Sequence, residues 1–238
     1  MDLALHIPVP CGGATPDEII AAARRAGCTS VELTLRANVN DACDWQAFGR
    51  RLRAGGISVI GTACAPGPTT DAGDVRAVLN ALLRQTASLG AGTLVIAWTW
   101  LEGAFGANSP GAPSDVVHKI TELLLDLRFE AESAGVVMAV EAQCRHDPLA
   151  AIAIRDLLDE LTTPWIMVAL DADAAGLVSP GPATWIRTLG PRIRRIRLRS
   201  GGETLQRPST ESAAALLADA GCAAMIVVDA ASLSRGGM

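Results

Sequence analysis

One unit recurs along this chain: a short apolar segment of strand length, a few loop residues, a helix with apolar spacing near 3.6, then Gly or Pro before the next apolar segment. Strands are predicted at Leu3–His6, Ser30–Thr34, Ile57–Gly61, Thr93–Ala97, Val136–Glu141, Trp165–Leu170, Ile193–Leu198 and Ala223–Val228. Helices are predicted between them at Pro16–Ala26, Trp45–Ala54, Asp74–Leu89, Ser114–Ser133, Pro148–Leu161, Pro182–Leu189 and Thr210–Ala220. A repeat of about 30 residues is that of a βα unit, whose crossover makes successive strands parallel. Local signals agree with this reading. Thr15-Pro16-Asp17-Glu18 puts Pro at the first helical position and acids in the first turn, and Gly27, Gly55, Gly90, Gly135 and Gly221 stand between helix ends and strands.

Eight strands alternating with helices in 238 residues predict one closed parallel (β/α)8 TIM barrel rather than an open sheet. No linker or composition shift divides the chain, so residues 1–238 are expected to form a single domain. Only Ala230 to Met238 follow the last strand, so the last helix is expected to be truncated or missing. Ile226 and Val228 would then lack cover, which predicts a homodimer or a heteromer that buries this flank.

Charge and hydropathy narrow the partners. A net charge of −5 and a pI near 5.2 argue against nucleic acid, whose phosphates demand a basic surface. The N-terminal segment lacks a basic start and is interrupted by Pro8 and Pro10, and no apolar run reaches the ~18 residues that span a bilayer. A cytoplasmic protein acting on a small molecule, with no membrane partner, is expected. Six scattered cysteines without a C-x-x-C pair read as buried small hydrophobes rather than a disulfide framework. A single lysine, Lys119 on a helix, argues against Schiff-base chemistry.

In a barrel, chemistry belongs at the C-terminal strand ends, and alternation says which side chains look inward. On the second strand Val31, Leu33 and Leu35 suit the helix side, leaving Glu32, Thr34 and Arg36 for the interior. His6 ends the first strand. Glu141 ends the fifth and Gln143 continues its face, Asp171 ends the sixth, and Asp229 ends the eighth. Carboxylates inside an apolar barrel need cations, a metal or hydrogen-bond donors. The seventh strand supplies cations, because Arg195, Arg197 and Arg199 share the face opposite Ile196 and Leu198. Arg195 is expected to pair with Glu32 or Asp171 and fill a barrel layer. Arg197, nearer the mouth, is expected to pair with Glu141, Asp171 or Asp229. Trp98 and Trp100, read as ending the fourth strand, are expected either to form one apolar wall of the pocket or to pack beneath the Gly- and Pro-rich loop Gly103–Pro113, which is long enough to act as a lid. His146 lies on the loop after the fifth strand.

Gly27-Cys28-Thr29-Ser30-Val31-Glu32-Leu33 and Ala134-Gly135-Val136-Val137-Met138-Ala139-Val140-Glu141 resemble the second- and fifth-strand signatures of the xylose isomerase-like TIM barrels. That superfamily comprises sugar isomerases and epimerases, dehydratases and endonucleases. The resemblance implies a divalent metal held by four side chains ending strands five to eight. Glu141 matches the first and Asp171 the second. The family's D-x-x-H reads Asp171-Ala172-Asp173-Ala174 here, its H-x-x-D reads Arg197-Leu198-Arg199-Ser200, and its final Glu is the shorter Asp229. Both histidines are absent, and an arginine stands where one would bind.

The resemblance, with arginine in place of a ligand, implies an isomerase, epimerase or related lyase that moves a proton next to a carbonyl without metal or other cofactor. Glu141, Asp171, Asp229, Arg197 and His6 are the expected catalytic set. Arg199, Glu32, Arg36, Trp98, Trp100, Gln143 and His146 are expected to bind substrate. Two alternatives remain open at this level: a metal enzyme holding Mg²⁺ or Mn²⁺ on Glu141, Asp171 and Asp229, and a barrel that has lost catalysis and serves as a binding or partner subunit.

Overall fold

A computed structural model of the chain describes residues 3–8, 14–36, 43–65, 72–106, 113–142, 150–172, 181–198 and 210–229. Its elements run β1 (Leu3–Pro8), α1 (Pro16–Arg25), β2 (Ser30–Arg36), α2 (Trp45–Ala54), β3 (Ser58–Ala65), α3 (Ala72–Leu89), β4 (Thr93–Ala97), α4 (Trp98–Gly106), α5 (Pro113–Ala134), β5 (Val137–Ala142), α6 (Ala150–Leu161), β6 (Ile166–Asp171), α7 (Pro182–Leu189), β7 (Ile193–Leu198), α8 (Thr210–Asp219) and β8 (Met225–Asp229). Each strand pairs in parallel with the next and β8 pairs with β1, closing an eight-stranded (β/α)8 barrel.

The helices begin where their sequences supply caps. The Thr15 hydroxyl accepts from the Glu18 amide at 3.3 Å while the Glu18 carboxylate accepts from the Thr15 amide at 2.7 Å, satisfying two donors at the start of α1. Asp44 does the same for α2, accepting from the Ala47 amide at 2.8 Å. Gly90, with φ +79°, turns the chain from α3 toward β4 in a conformation that an L side chain resists.

Outward strand residues such as Val31, Leu33, Leu94, Ile96, Met138, Leu170 and Ile196 join the helices in one continuous core. Inside the barrel, Ala63, Val95, Ala139 and Ala169, on β3 to β6, form a separate small apolar cluster. These small residues leave volume that the other half of the interior fills with long polar side chains. Among the described residues no helix is long and apolar enough to cross a membrane.

Three expectations are corrected. First, β4 ends at Ala97, and Trp98 opens α4, an additional helix before α5. Trp98, Leu101 and Phe105 are spaced three and four apart, which is helical rather than strand spacing. Residues two apart on a helix point to different sides, so Trp98 and Trp100 do not share a wall. Trp100 is buried in the core and Trp98 packs partly exposed against it. Second, the segment read as a loop from Gly103 is helical to Gly106, with residues 107–112 outside the described set. Third, Ile226 is 0 % exposed and Val228 9 % exposed in the single chain, so the flank of β8 is covered without a partner.

Candidate functional site

The polar half of the interior is built around Arg195. This side chain leaves β7, crosses the barrel and meets Glu32 on β2 through two hydrogen bonds, Nε to Oε2 at 2.8 Å and Nη2 to Oε1 at 2.6 Å. Arg195 is 1 % exposed and Glu32 fully buried. The Glu32 Oε1 also accepts from His6 Nδ1 on β1 at 2.8 Å, and His6 Nε2 lies 3.1 Å from the Thr34 hydroxyl. Four side chains from three strands thus form one chain of hydrogen bonds: Arg195, Glu32, His6 and Thr34.

Electrostatics explain why this layer is charged. Burial by itself would raise the Glu32 carboxyl, but the Arg195 charge and the hydrogen bonds from His6 and Arg195 outweigh it and hold the group at about 2. Burial likewise works against the Arg195 cation. The Glu32 charge and hydrogen bonds prevail, with the charges of Glu141 and Asp171 adding to them, so the guanidinium is held more firmly protonated than usual. Arg195 therefore links the Glu32 network to the carboxylates that end β5 and β6. Its remaining nitrogen, Nη1, is buried and has no hydrogen-bond partner among the described residues. A buried donor left unmatched is unfavourable by about 1–3 kcal/mol, so this nitrogen is suited to an oxygen atom brought by a ligand.

The expected pairing of Arg195 with Glu32 is present. Arg197 occupies the next inward position of β7, between the core residues Ile196 and Leu198, and stands beside Asp171 in the β6–β7 register. It is partly exposed, and Asp171 is 4 % exposed. Glu141, partly exposed, sits beside Ala97 and Ala169 at the end of β5. His6, Glu32, Glu141, Asp171, Arg195 and Arg197 are thus brought to one interior. Arg36 and Asp229 end their strands, but their side chains fall outside the described set. Arg199, Gln143 and His146 lie outside the described residues altogether.

Sequence alternation misses one participant. The β6–β7 register skips Arg194, a bulge that lets consecutive arginines both reach inward. Arg194 Nε donates to the Thr93 hydroxyl on β4 at 3.0 Å while Arg195 turns to β2. Nothing in the local pattern Ile193-Arg194-Arg195-Ile196 announces the skip.

The cysteines on the described strands and turns are structural. Cys64 packs outward beside Leu35, and burial pushes its thiol up to about 12. Cys28 and Cys222 are buried and shifted upward as well.

No family model and no curated protein matches this sequence. Solved structures do match its fold. The D-psicose 3-epimerase structure determined in the presence of D-fructose superposes with a TM-score of 0.74 at 14% identity, covering 98% of this chain and 90% of that one. An L-ribulose 3-epimerase gives 0.76 at 16% identity over 96% and 81%. An AP endonuclease of family 2 from Brucella melitensis gives 0.71 at 14% identity over 95% and 92%. What these likenesses show is the shared fold, a closed (β/α)8 barrel.

The sequence resemblance implies a divalent metal, and at one of its implied ligand positions, Asp229, the side chain lies outside the described set. Among the described residues no three His, Cys, Asp or Glu side chains converge as a cation site. The two carboxylates at the implied ligand positions, Glu141 and Asp171, instead act on a fully buried guanidinium. A divalent ion beside that guanidinium would meet like charge at close range.

Proposed function

We propose that this chain is an isomerase or epimerase-like enzyme that moves a proton next to the carbonyl of a small polar metabolite, with a ketose as the substrate class and no resident metal. The observation that carries this reading is the Arg195 Nη1 donor, buried among the charges of Glu141 and Asp171 and unmatched among the described residues. Removing a proton next to a carbonyl builds negative charge on the carbonyl oxygen. A fixed cationic donor in a dry site stabilises that charge as it forms.

Glu141 is the base. It is the carboxylate of the pair that reaches solvent, whereas Asp171 is nearly closed off. Arg195 donates to the enolate oxygen, and Glu32 holds the guanidinium in place through its two-point grip, the geometry that guanidinium and carboxylate share best. Arg197 extends the cationic face toward the mouth beside Asp171. The substrate class draws support from two of the structural neighbours, a D-psicose 3-epimerase and an L-ribulose 3-epimerase, each named for a ketose.

The test is deuterium incorporation. D-Fructose, D-psicose, D-tagatose and L-ribulose are incubated separately with the protein in D₂O and excess EDTA, and proton spectra are followed. Exchange of one carbon-bound proton next to the carbonyl in at least one ketose is expected. No exchange from any of them overturns the ketose reading, and exchange that appears only when Mn²⁺ or Mg²⁺ replaces EDTA overturns the metal-free part.

A further inference from the structure

Inverting a carbon requires proton traffic on both of its faces, so a base on β5 needs a counterpart across the barrel. The strand registers locate that position. From His6 the pairs run to Glu32, Gly61 and, since Thr62 pairs with Leu94, on to Thr93 and then Val137 of β5. In the other direction Leu3, three residues before His6, reaches Ala142 of β5 through Ile226, Ile196 and Leu170. His6 itself would reach three residues beyond Ala142. Tilted strands displace the two counts by equal and opposite amounts, so the level of His6 on β5 lies about midway, at Glu141. β1 and β5 are also half the barrel apart. His6 and Glu141 face one another across the interior at the same height.

The hydrogen bonds of His6 show what it can do there. The Glu32 carboxylate, kept ionised by Arg195, can only accept, so His6 Nδ1 must carry a hydrogen and donate it. That fixes the ring and leaves Nε2 to exchange a proton with the Thr34 hydroxyl at 3.1 Å. Thr34 lies two residues further along β2 than Glu32 and is partly exposed, so its hydroxyl is the end of the chain that a ligand in the barrel mouth can reach.

Resting on the proton-transfer reading above, we propose that Thr34, backed by His6 and Glu32, is the second proton station of the site, acting on the face of the substrate opposite Glu141. Glu141 takes the C–H proton from one face and leaves an enolate. Thr34 gives its O–H proton to the other face of the same carbon and takes the proton that His6 carried on Nε2. At the end Glu141 is protonated, His6 is neutral, the hydroxyl is restored and the carbon is inverted. The reverse reaction runs the same transfers backward, so one proton is shared between two stations and no co-reactant is consumed. Thr34 is the catalytic group, while His6 relays its proton and Glu32 and Arg195 are positioning residues.

Thr34→Val and His6→Gln separate the two faces. With the ketose that the wild type exchanges in D₂O, both variants are expected to keep deuterium wash-in through Glu141 but to lose epimer formation by about a hundredfold. Thr34→Ser, which restores a hydroxyl, is expected to recover most of the inversion. An unchanged ratio of inversion to wash-in in Thr34→Val overturns the proposal. Should the wild type exchange none of the four ketoses, the reading beneath it fails, and the relay is judged by nitrogen NMR of the His6 ring. Nδ1 must then carry hydrogen and the Nε2 resonance must move in Thr34→Val. An Nε2 signal indifferent to Thr34 overturns the relay as well.

Discussion

Arg195 reaches from β7 to Glu32 on β2 and grips its carboxylate at two points, 2.8 Å and 2.6 Å, with both side chains removed from solvent. Such a pair is a poor source of net stability compared with packed hydrocarbon, yet breaking it leaves one uncompensated charge in the interior. Arg195→Met should therefore destabilise the fold by about 3–5 kcal/mol, read from urea unfolding at neutral pH. The double variant Arg195→Met with Glu32→Leu should be less destabilised than the single, because no lone charge remains. An Arg195→Met protein within about 1 kcal/mol of wild type would show that the carboxylate finds other partners.

The same pair makes stability depend on acid. Glu32 ionises at about 2 in the folded chain against an ordinary 4.5. A depressed carboxylate contributes stability that is fully present above the ordinary value and is lost as pH falls from about 4.5 toward 2. The loss is on the order of 3 kcal/mol, and Glu32→Gln should remove that part of the acid dependence. Thermal melts between pH 5 and roughly pH 2.5 would check it. Parallel melting-temperature curves for wild type and Glu32→Gln would refute the assignment of the slope to Glu32.

How much of this was legible in the sequence follows from what kind of pattern each feature leaves. Two-residue alternation along Val31–Leu35 and Ile193–Leu198 carries the inward placement of Glu32, Arg195 and Arg197, because one face of each strand must meet the helices. Arg194 was not legible. A bulge is decided by the hydrogen-bond ladder with β6, and its local sequence looks like an unbroken strand. Helix α4 was legible in principle, since Trp98, Leu101 and Phe105 keep helical spacing, but the aromatic and β-branched run from Thr93 to Trp100 favours an extended reading. The burial of Ile226 and Val228 is a matter of tertiary packing, which no local pattern reports.

Thiol reactivity should divide the described cysteines sharply. The thiolate is the reacting species, and Cys64, buried with its thiol raised to about 12, offers almost none at neutral pH. Cys43 is exposed just before α2. Brief iodoacetamide treatment of the native protein at about pH 8, followed by peptide mass spectrometry, should modify Cys43 and spare Cys64 and Cys222 until denaturant is added. Labelling of Cys64 at the rate of Cys43 would mean that the outer face of β3 opens readily.

The two carboxylates that act on Arg195 should separate in their effects. Glu141 is partly exposed, so Glu141→Gln keeps its shape and changes little in the packed interior. Its unfolding free energy should stay within about 1 kcal/mol of wild type, while deuterium exchange into the ketose falls by about 10²–10⁴, the range for losing a general base. Asp171 is buried, and its charge adds to the field that holds the Arg195 cation. Asp171→Asn removes that charge from a closed site, so it should lower stability more and exchange less than Glu141→Gln does. Parallel urea unfolding and exchange assays on both variants decide the matter. Equal losses of exchange with equal stability would mean that Glu141 is not the group that takes the proton.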